Sequence, residues 1–156
     1  MRFSVLLDTS FFIRLVNIHD PIHLNTLNYF KYFIENDIKL YISTISIAEY
    51  CVIGKLEELP FAYLSILPFE FNHALTTSNF ASILFKKQKT ENLTIQPRII
   101  IPNDSKLFAQ SDFEQDIKYF VTSDIKSKNI CNLLSNETEL KFEIIDLYKD
   151  YQFNFS

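Results

Sequence analysis

Four acidic residues stand where metal and phosphate chemistry would use them. Asp8 follows the short apolar run 3–7, and Asp124 follows a second run, 119–121, after Thr122 and Ser123. Acids leaving two strands at their carboxyl ends arrive where open parallel sheets bind ligands. Glu49 lies in ISTISIAEY, a nearly apolar stretch, so its side chain is expected to point inward. A buried glutamate needs a cation or a proton. Asp104 opens a helix behind Pro102 and Asn103. Each residue also has a plain structural reading. An Asp after a strand caps the next helix, a lone helical Glu is usually solvated, and acids favour a first helical turn. The set says more than its members. At roughly 4 Å and an effective dielectric near 20, each like-charged pair costs about 4 kcal/mol. Hard divalent cations such as Mg²⁺ or Mn²⁺ offset that repulsion and prefer carboxylate oxygens. They also activate water and stabilise the leaving oxygen of a phosphodiester.

Short strands alternating with helices must carry these acids. Strands are expected at 3–7, 39–42, 64–67, 119–121 and 142–147. Thr9 and Ser10 can cap a helix running toward Val16, and Asp20-Pro21 reads as the start of another. Ser43 is the expected cap of the Glu49 helix. Further helices are expected at 72–87, from Asn103 through Gln110, and at 126–134, with an extended piece at 98–102. Leu75, Phe80, Ile83 and Leu84 should share one face of the helix at 72–87. The aromatic tail from Tyr148 is expected to pack back on the body. This alternation indicates an α/β fold, a three-layer α/β/α sandwich with a central, mainly parallel sheet, in one domain over 1–156. The apolar strands call for helices on both faces.

Composition narrows the chemistry. The chain has 156 residues, 47% of them hydrophobic, with sixteen Phe, eight Tyr and no Trp. Its one glycine, Gly54, argues against a glycine-rich phosphate loop. A net charge of −4 is not the signature of a general nucleic-acid binder. A nuclease can still be acidic when metal neutralises its carboxylates. Cys51 and Cys131 form no CxxC pair, so a zinc site is not expected and two buried free thiols are. The N-terminus lacks a cleavage-site pattern, and no apolar run is long enough for a membrane span. A cytoplasmic protein with no membrane partner is the expectation.

Five stretches in order resemble the PIN-domain ribonucleases, and within them the VapC-type toxins. They are VLLDTSFFI at 5–13, YISTISIAEY at 41–50, LSILPFEFNHA at 64–74, IIIPNDSKLFAQ at 99–110 and YFVTSDIK at 119–126. The resemblance covers roughly residues 3–130. It implies Mg²⁺ or Mn²⁺ dependence and cleavage of single-stranded or structured RNA. It gives the catalytic and metal-holding roles to Asp8, Glu49, Asp104 and Asp124, with Asp8 and Asp124 as direct ligands. Ser10, Thr122 and Ser127 are implied as supporting hydroxyls. An antitoxin protein and a second copy of the chain are the partners it implies. The chain departs from the pattern in the bulk of Phe108 near Asp104. It departs again after Asp124, where Ser127 or Asn129 replaces a further acid or Asn.

Lys86, Lys87, Arg98 and Lys126 could line an RNA path, or form an ordinary solvated face. His19, His23 and His73 lack metal spacing and read as surface or cap histidines. Asp112 and Asp116 read as solvated loop acids. Two further readings stand beside the ribonuclease. One is a catalytically weak or inactive PIN-fold module that binds RNA or a protein, favoured by the acidic charge and the departures near Asp104. The other is an aspartyl phosphotransferase, which usually needs a second Asp two residues after the first; Ser10 occupies that position.

Overall fold

The strands are short and apolar because helices cover the sheet on both sides. The structure, a computed structural model, describes residues 2–90 and 103–155. Five parallel strands run in the order β3-β2-β1-β4-β5: β1 (Ser4–Leu7), β2 (Lys39–Ser43), β3 (Leu64–Leu67), β4 (Ile117–Thr122) and β5 (Glu143–Asp146). β1 is central and wholly buried. The two-residue alternation of a strand sorts the core into two halves. Val5, Leu7, Leu40, Ile42, Val121 and Ile145 pack on one face. There they meet Phe11 and Phe12 of α1 (Thr9–Val16), Tyr29 and Phe33 of α2 (His23–Glu35), and Tyr50 of α3 (Thr44–Tyr50). Leu6, Ile117 and Phe120 face the other way. They pack on Phe80 and Leu84 of α4 (Phe71–Thr90), Leu107 and Phe108 of α5 (Asn103–Phe113), and Leu134 of α6 (Ile125–Glu137). The fold is therefore the expected α/β/α sandwich, with a sheet that is parallel throughout.

Local chemistry explains the boundaries. The Ser43 hydroxyl accepts from the Ile45 N–H and caps α3, as its position indicated. α2 leaves through a left-handed residue, Asp37 at φ 54°. There the Ile38 N–H returns to the Phe33 carbonyl at 2.9 Å, closing a Schellman-type end. The tail does fold back. In α7 (Tyr151–Phe155), the Phe155 ring stacks on Tyr32 with centroids 4.7 Å apart, and it meets Phe3, Tyr29, Phe33 and Tyr119 edge-on or stacked.

Several expectations need correction. Asp20 does not open α2; its carboxylate accepts from the Ile22 N–H and binds Arg14, and the helix begins at His23. Cys51 is exposed, because α3 ends before it and the chain turns outward; only Cys131 is buried. His73 is a cap histidine, at the start of α4, but a buried one and not a surface one. Its Nδ1 accepts from the Glu70 N–H and its Nε2 meets Glu114 at 2.8 Å. Leu75 turns away from the core while Phe80 and Leu84 enter it. Asp112 lies within α5, where it accepts from the Lys141 N–H; Asp116 is the exposed turn acid expected, and it takes the Ser4 hydroxyl. The extended piece expected at 98–102 lies outside the described residues, as does Arg98.

Candidate carboxylate site

Parallel pairing brings the strand-end acids to one edge. Leu7 is in register with Val121 on one side and Ile42 on the other. The residues that follow those strands therefore emerge together, with the Asp8 N–H bonded to the Val121 carbonyl at 3.0 Å. Asp8 is also the N-cap of α1, so the capping group is the acid itself rather than Thr9 or Ser10. Asp124 caps α6 in the same way, accepting from the Lys126 N–H. Both capping readings are thus correct, and the capping does not consume the acids' remaining oxygens.

Asp8 is 5% exposed and tightly held. Its Oδ1 accepts from the Thr9 N–H, and its Oδ2 accepts from the Ser10 and Thr122 hydroxyls, each contact at 2.8 Å. Those hydroxyls are fixed in turn. Ser10 Oγ accepts from the Ser123 N–H and Thr122 Oγ1 from the Asp124 N–H. Ser10 and Thr122 thus both hold the Asp8 carboxylate, and one chain of hydrogen bonds ties β1 to the Asp124 turn. Burial pushes the Asp8 carboxyl up from 3.8 to about 6, the hydroxyls pull it back in part, and the charge of Asp104 raises it again.

Asp104 lies in the first turn of α5 and is half-buried. Burial raises its pKa first; the Ser127 hydroxyl lowers it, and the charges of Asp124 and Glu49 raise it further. Ser127 is fully buried on α6, close enough to act on Asp104 yet outside the geometry of a formed hydrogen bond. Glu49 is half-buried rather than inward-pointing. It reaches α1, where its Oε1 accepts from the Thr9 hydroxyl at 3.0 Å. Asp104 therefore feels all three other acids, which is a convergence of charge on one edge of the sheet. Among the described residues, no three carboxylate, imidazole or thiol groups are set close enough to bind one metal ion as they stand.

Of the lysines expected to meet RNA, Lys126 is exposed and its charge acts on Asp104. Lys87 pairs with Glu137 at 3.0 Å, and Lys86 lies on the exposed side of α4. Sequence reading missed Arg14. Its guanidinium donates from Nε to Ser123 Oγ, from Nη1 to Asp20, and from Nη2 to the Tyr148 hydroxyl. An arginine alone on an otherwise apolar helix, FFIRLV, was the available signal.

No family model matches the sequence, and no curated protein does. Solved structures do. VapBC2 from Rickettsia felis, bound to a promoter DNA fragment, aligns at TM-score 0.55 and 19% identity, covering 92% of this chain and 98% of that one. DNA-bound VapBC from Salmonella typhimurium aligns at 0.57 and 15% identity, covering 93% and 98%. The fold is the VapC-type PIN fold. The toxin VapC20 of Mycobacterium tuberculosis, which cleaves the sarcin–ricin loop, aligns at 0.52 and 14% identity, covering 81% and 94%. These identities speak to architecture. Within the PIN fold of this chain, the carboxyl edge of the sheet is where Asp8, Asp104, Asp124 and Glu49 lie.

Proposed function

We propose that this chain is a Mg²⁺- or Mn²⁺-dependent endoribonuclease, acting on single-stranded or structured RNA as the toxin of a toxin–antitoxin pair. One observation carries the reading: on a PIN fold, four carboxylates share one sheet edge, where burial first and neighbouring acids second raise Asp8 and Asp104. The donor set is hard oxygen, short of positive charge, and fits a divalent cation. In this reading Asp8 and Asp124 hold the ion and Asp104 and Glu49 complete the set, after side-chain rotation closes them. The bound cation would supply Lewis acidity toward a phosphate oxygen and acidify water. Ser10 and Thr122 orient the Asp8 carboxylate through Oδ2, Ser127 tempers Asp104, and Thr9 holds one Glu49 oxygen so that the other can take a proton. Lys126 offers a cation to the phosphate backbone.

Purified chain, free of any partner, should cut single-stranded RNA or a sarcin–ricin-loop hairpin when Mn²⁺ or Mg²⁺ is added. EDTA should stop it. Asp8→Asn should lower the rate by about 100-fold or more, since even groups supporting a metal site are worth ~10–100-fold. A wild-type chain that neither binds Mn²⁺ nor cuts RNA would sink the proposal. The VapBC assemblies among the structural neighbours make an antitoxin the expected partner, and a second copy of the chain is expected beside it. The spread of the acids favours one other reading, a PIN module that binds RNA or protein without cutting. That reading requires Asp8→Asn to leave binding and phenotype intact.

A further inference from the structure

The carboxylate edge continues into an aromatic surface that the proposed chemistry does not use. β5 runs beside β4 with Asp146 in register with Thr122, the residue whose hydroxyl holds Asp8. Tyr148 follows two residues later, so it leaves the sheet on the same edge. Its ring is 55% exposed, although both ends of the residue are tied down. The Tyr148 N–H donates to Asp146 Oδ1, and the Tyr148 hydroxyl accepts from Arg14 Nη2 at 2.9 Å. The same guanidinium donates to Ser123, the residue before Asp124. One planar group therefore spans the gap between the ring and the carboxylate site.

Cations flank the ring. The Arg14 guanidinium carbon lies 5.3 Å and the Lys128 ammonium 5.6 Å from its centroid. Lys126, two residues after the Asp124 cap, is exposed on the same helix as Lys128. An aromatic ring beside basic side chains is the pattern by which single strands are held, with bases stacked on rings and phosphates near cations. Fixing the ring beforehand removes much of the ordering cost of binding. Lys128, which pairs with Asp146 at 2.9 Å, has a long, flexible side chain that can leave that pair for a phosphate, while Arg14 keeps the ring in place.

We infer that Tyr148 is a stacking platform for one base of a single-stranded RNA, seated beside the carboxylate site by Arg14 and Lys128. The inference rests on the ribonuclease reading for the identity of the ligand as RNA. The base is recognised by its face, so the platform is sequence-tolerant. It would set which nucleotide lies next to the phosphate presented to Asp8 and Asp124.

The test is binding to the full chain in EDTA, where the proposed hydrolysis stops. Anisotropy of a short labelled oligoribonucleotide is compared with that of strands bearing one abasic spacer at successive positions. One spacer position should weaken binding about tenfold, the scale of a single base–ring stack. Tyr148→Ala should weaken the unmodified strand by a similar factor and erase the discrimination between strands. Tyr148→Trp should restore it. Equal binding of every strand by the wild type would overturn the inference, as it would if the ring met a protein partner instead. Discrimination that survives in Tyr148→Ala would overturn it too. Discrimination without any Mn²⁺-dependent cleavage keeps the platform and removes the ribonuclease. Cleavage without discrimination does the reverse.

Discussion

Replacing Asp8 by Asn tests whether this carboxyl is held against its own preference. Its pKa is lifted from 3.8 to about 6, chiefly by burial. Between those values the folded chain keeps a proton that the unfolded chain has released. Stability therefore falls as pH rises through that window and stays low above it, the reverse of a salt-bridged aspartate. The full penalty, reached above about pH 6, is about 3 kcal/mol. Asn has the same outline and caps a helix about as well as Asp. Its carbonyl can still accept from the Thr9 N–H, whereas its amide forces the Ser10 and Thr122 hydroxyls to turn and become acceptors, which costs about 1 kcal/mol. The net expectation near pH 7.5 is a stabilisation of about 2 kcal/mol. For a chain of this size that raises the unfolding midpoint by roughly 4–8 °C. Calorimetry or circular dichroism in EDTA from about pH 4 to 8 reads the difference directly. It should be largest at the alkaline end and fade toward pH 4. Under the metal proposal Mn²⁺ narrows the gap, because binding stabilises only the chain that keeps its ligand. An Asn variant less stable than wild type near pH 7.5 in EDTA, or a difference flat across pH, would refute the reasoning.

Three further substitutions have expected outcomes. Arg14→Ala removes the tie between α1, the Asp20 turn, Ser123 and Tyr148 and leaves a largely buried Asp20 unpaired; urea unfolding should show a loss of about 2 kcal/mol, and Arg14→Lys should recover only part of it. Gly54→Ala would drive a Cβ into the Tyr50 ring. The ring must move out of its buried seat, at about 1–3 kcal/mol by the same measurement. Asp37→Gly relieves a left-handed residue at φ 54°. The denaturation midpoint should rise, for a gain of about 0.5–1 kcal/mol, with an unchanged denaturant slope.

Much of the sheet was legible because its strands are buried on both sides. Runs such as SVLL and KLYIS need no partner to be recognised as short, apolar and bounded by caps. Ser43 and the strand-end acids were equally readable, since capping acts within one or two residues of the cap. What the sequence could not show depends on tertiary packing. Glu49 looked buried from its apolar neighbours, yet α3 turns that side toward the rim, where Thr9 meets it. Cys51 looked buried for the same reason, and the helix ends too soon to carry it inward. His73 looked like a surface residue because its partner Glu114 is forty-one positions away. Arg14, Ser123 and Tyr148 come from three separate segments, and no local pattern announces that one guanidinium joins them. The approach of Asp104 to the other acids was an expectation of the family resemblance and of no local pattern, since Asp104 sits about a hundred positions from Asp8.

The central position of β1 has a consequence for synthesis. Its partners lie far apart in sequence: β2 follows after some thirty residues, while β4 lies more than a hundred positions downstream. Such distant pairing forms late and slowly. A nascent chain that has emerged only as far as α5 already carries Asp8, Glu49 and Asp104. It still lacks the strand that covers β1, the Thr122 hydroxyl that fixes Asp8, and Asp124 itself. The carboxylate edge therefore exists only after β4 and the Asp124 turn have been made. The ribonuclease proposed above would, on this ordering, stay inert on the ribosome until that turn has emerged.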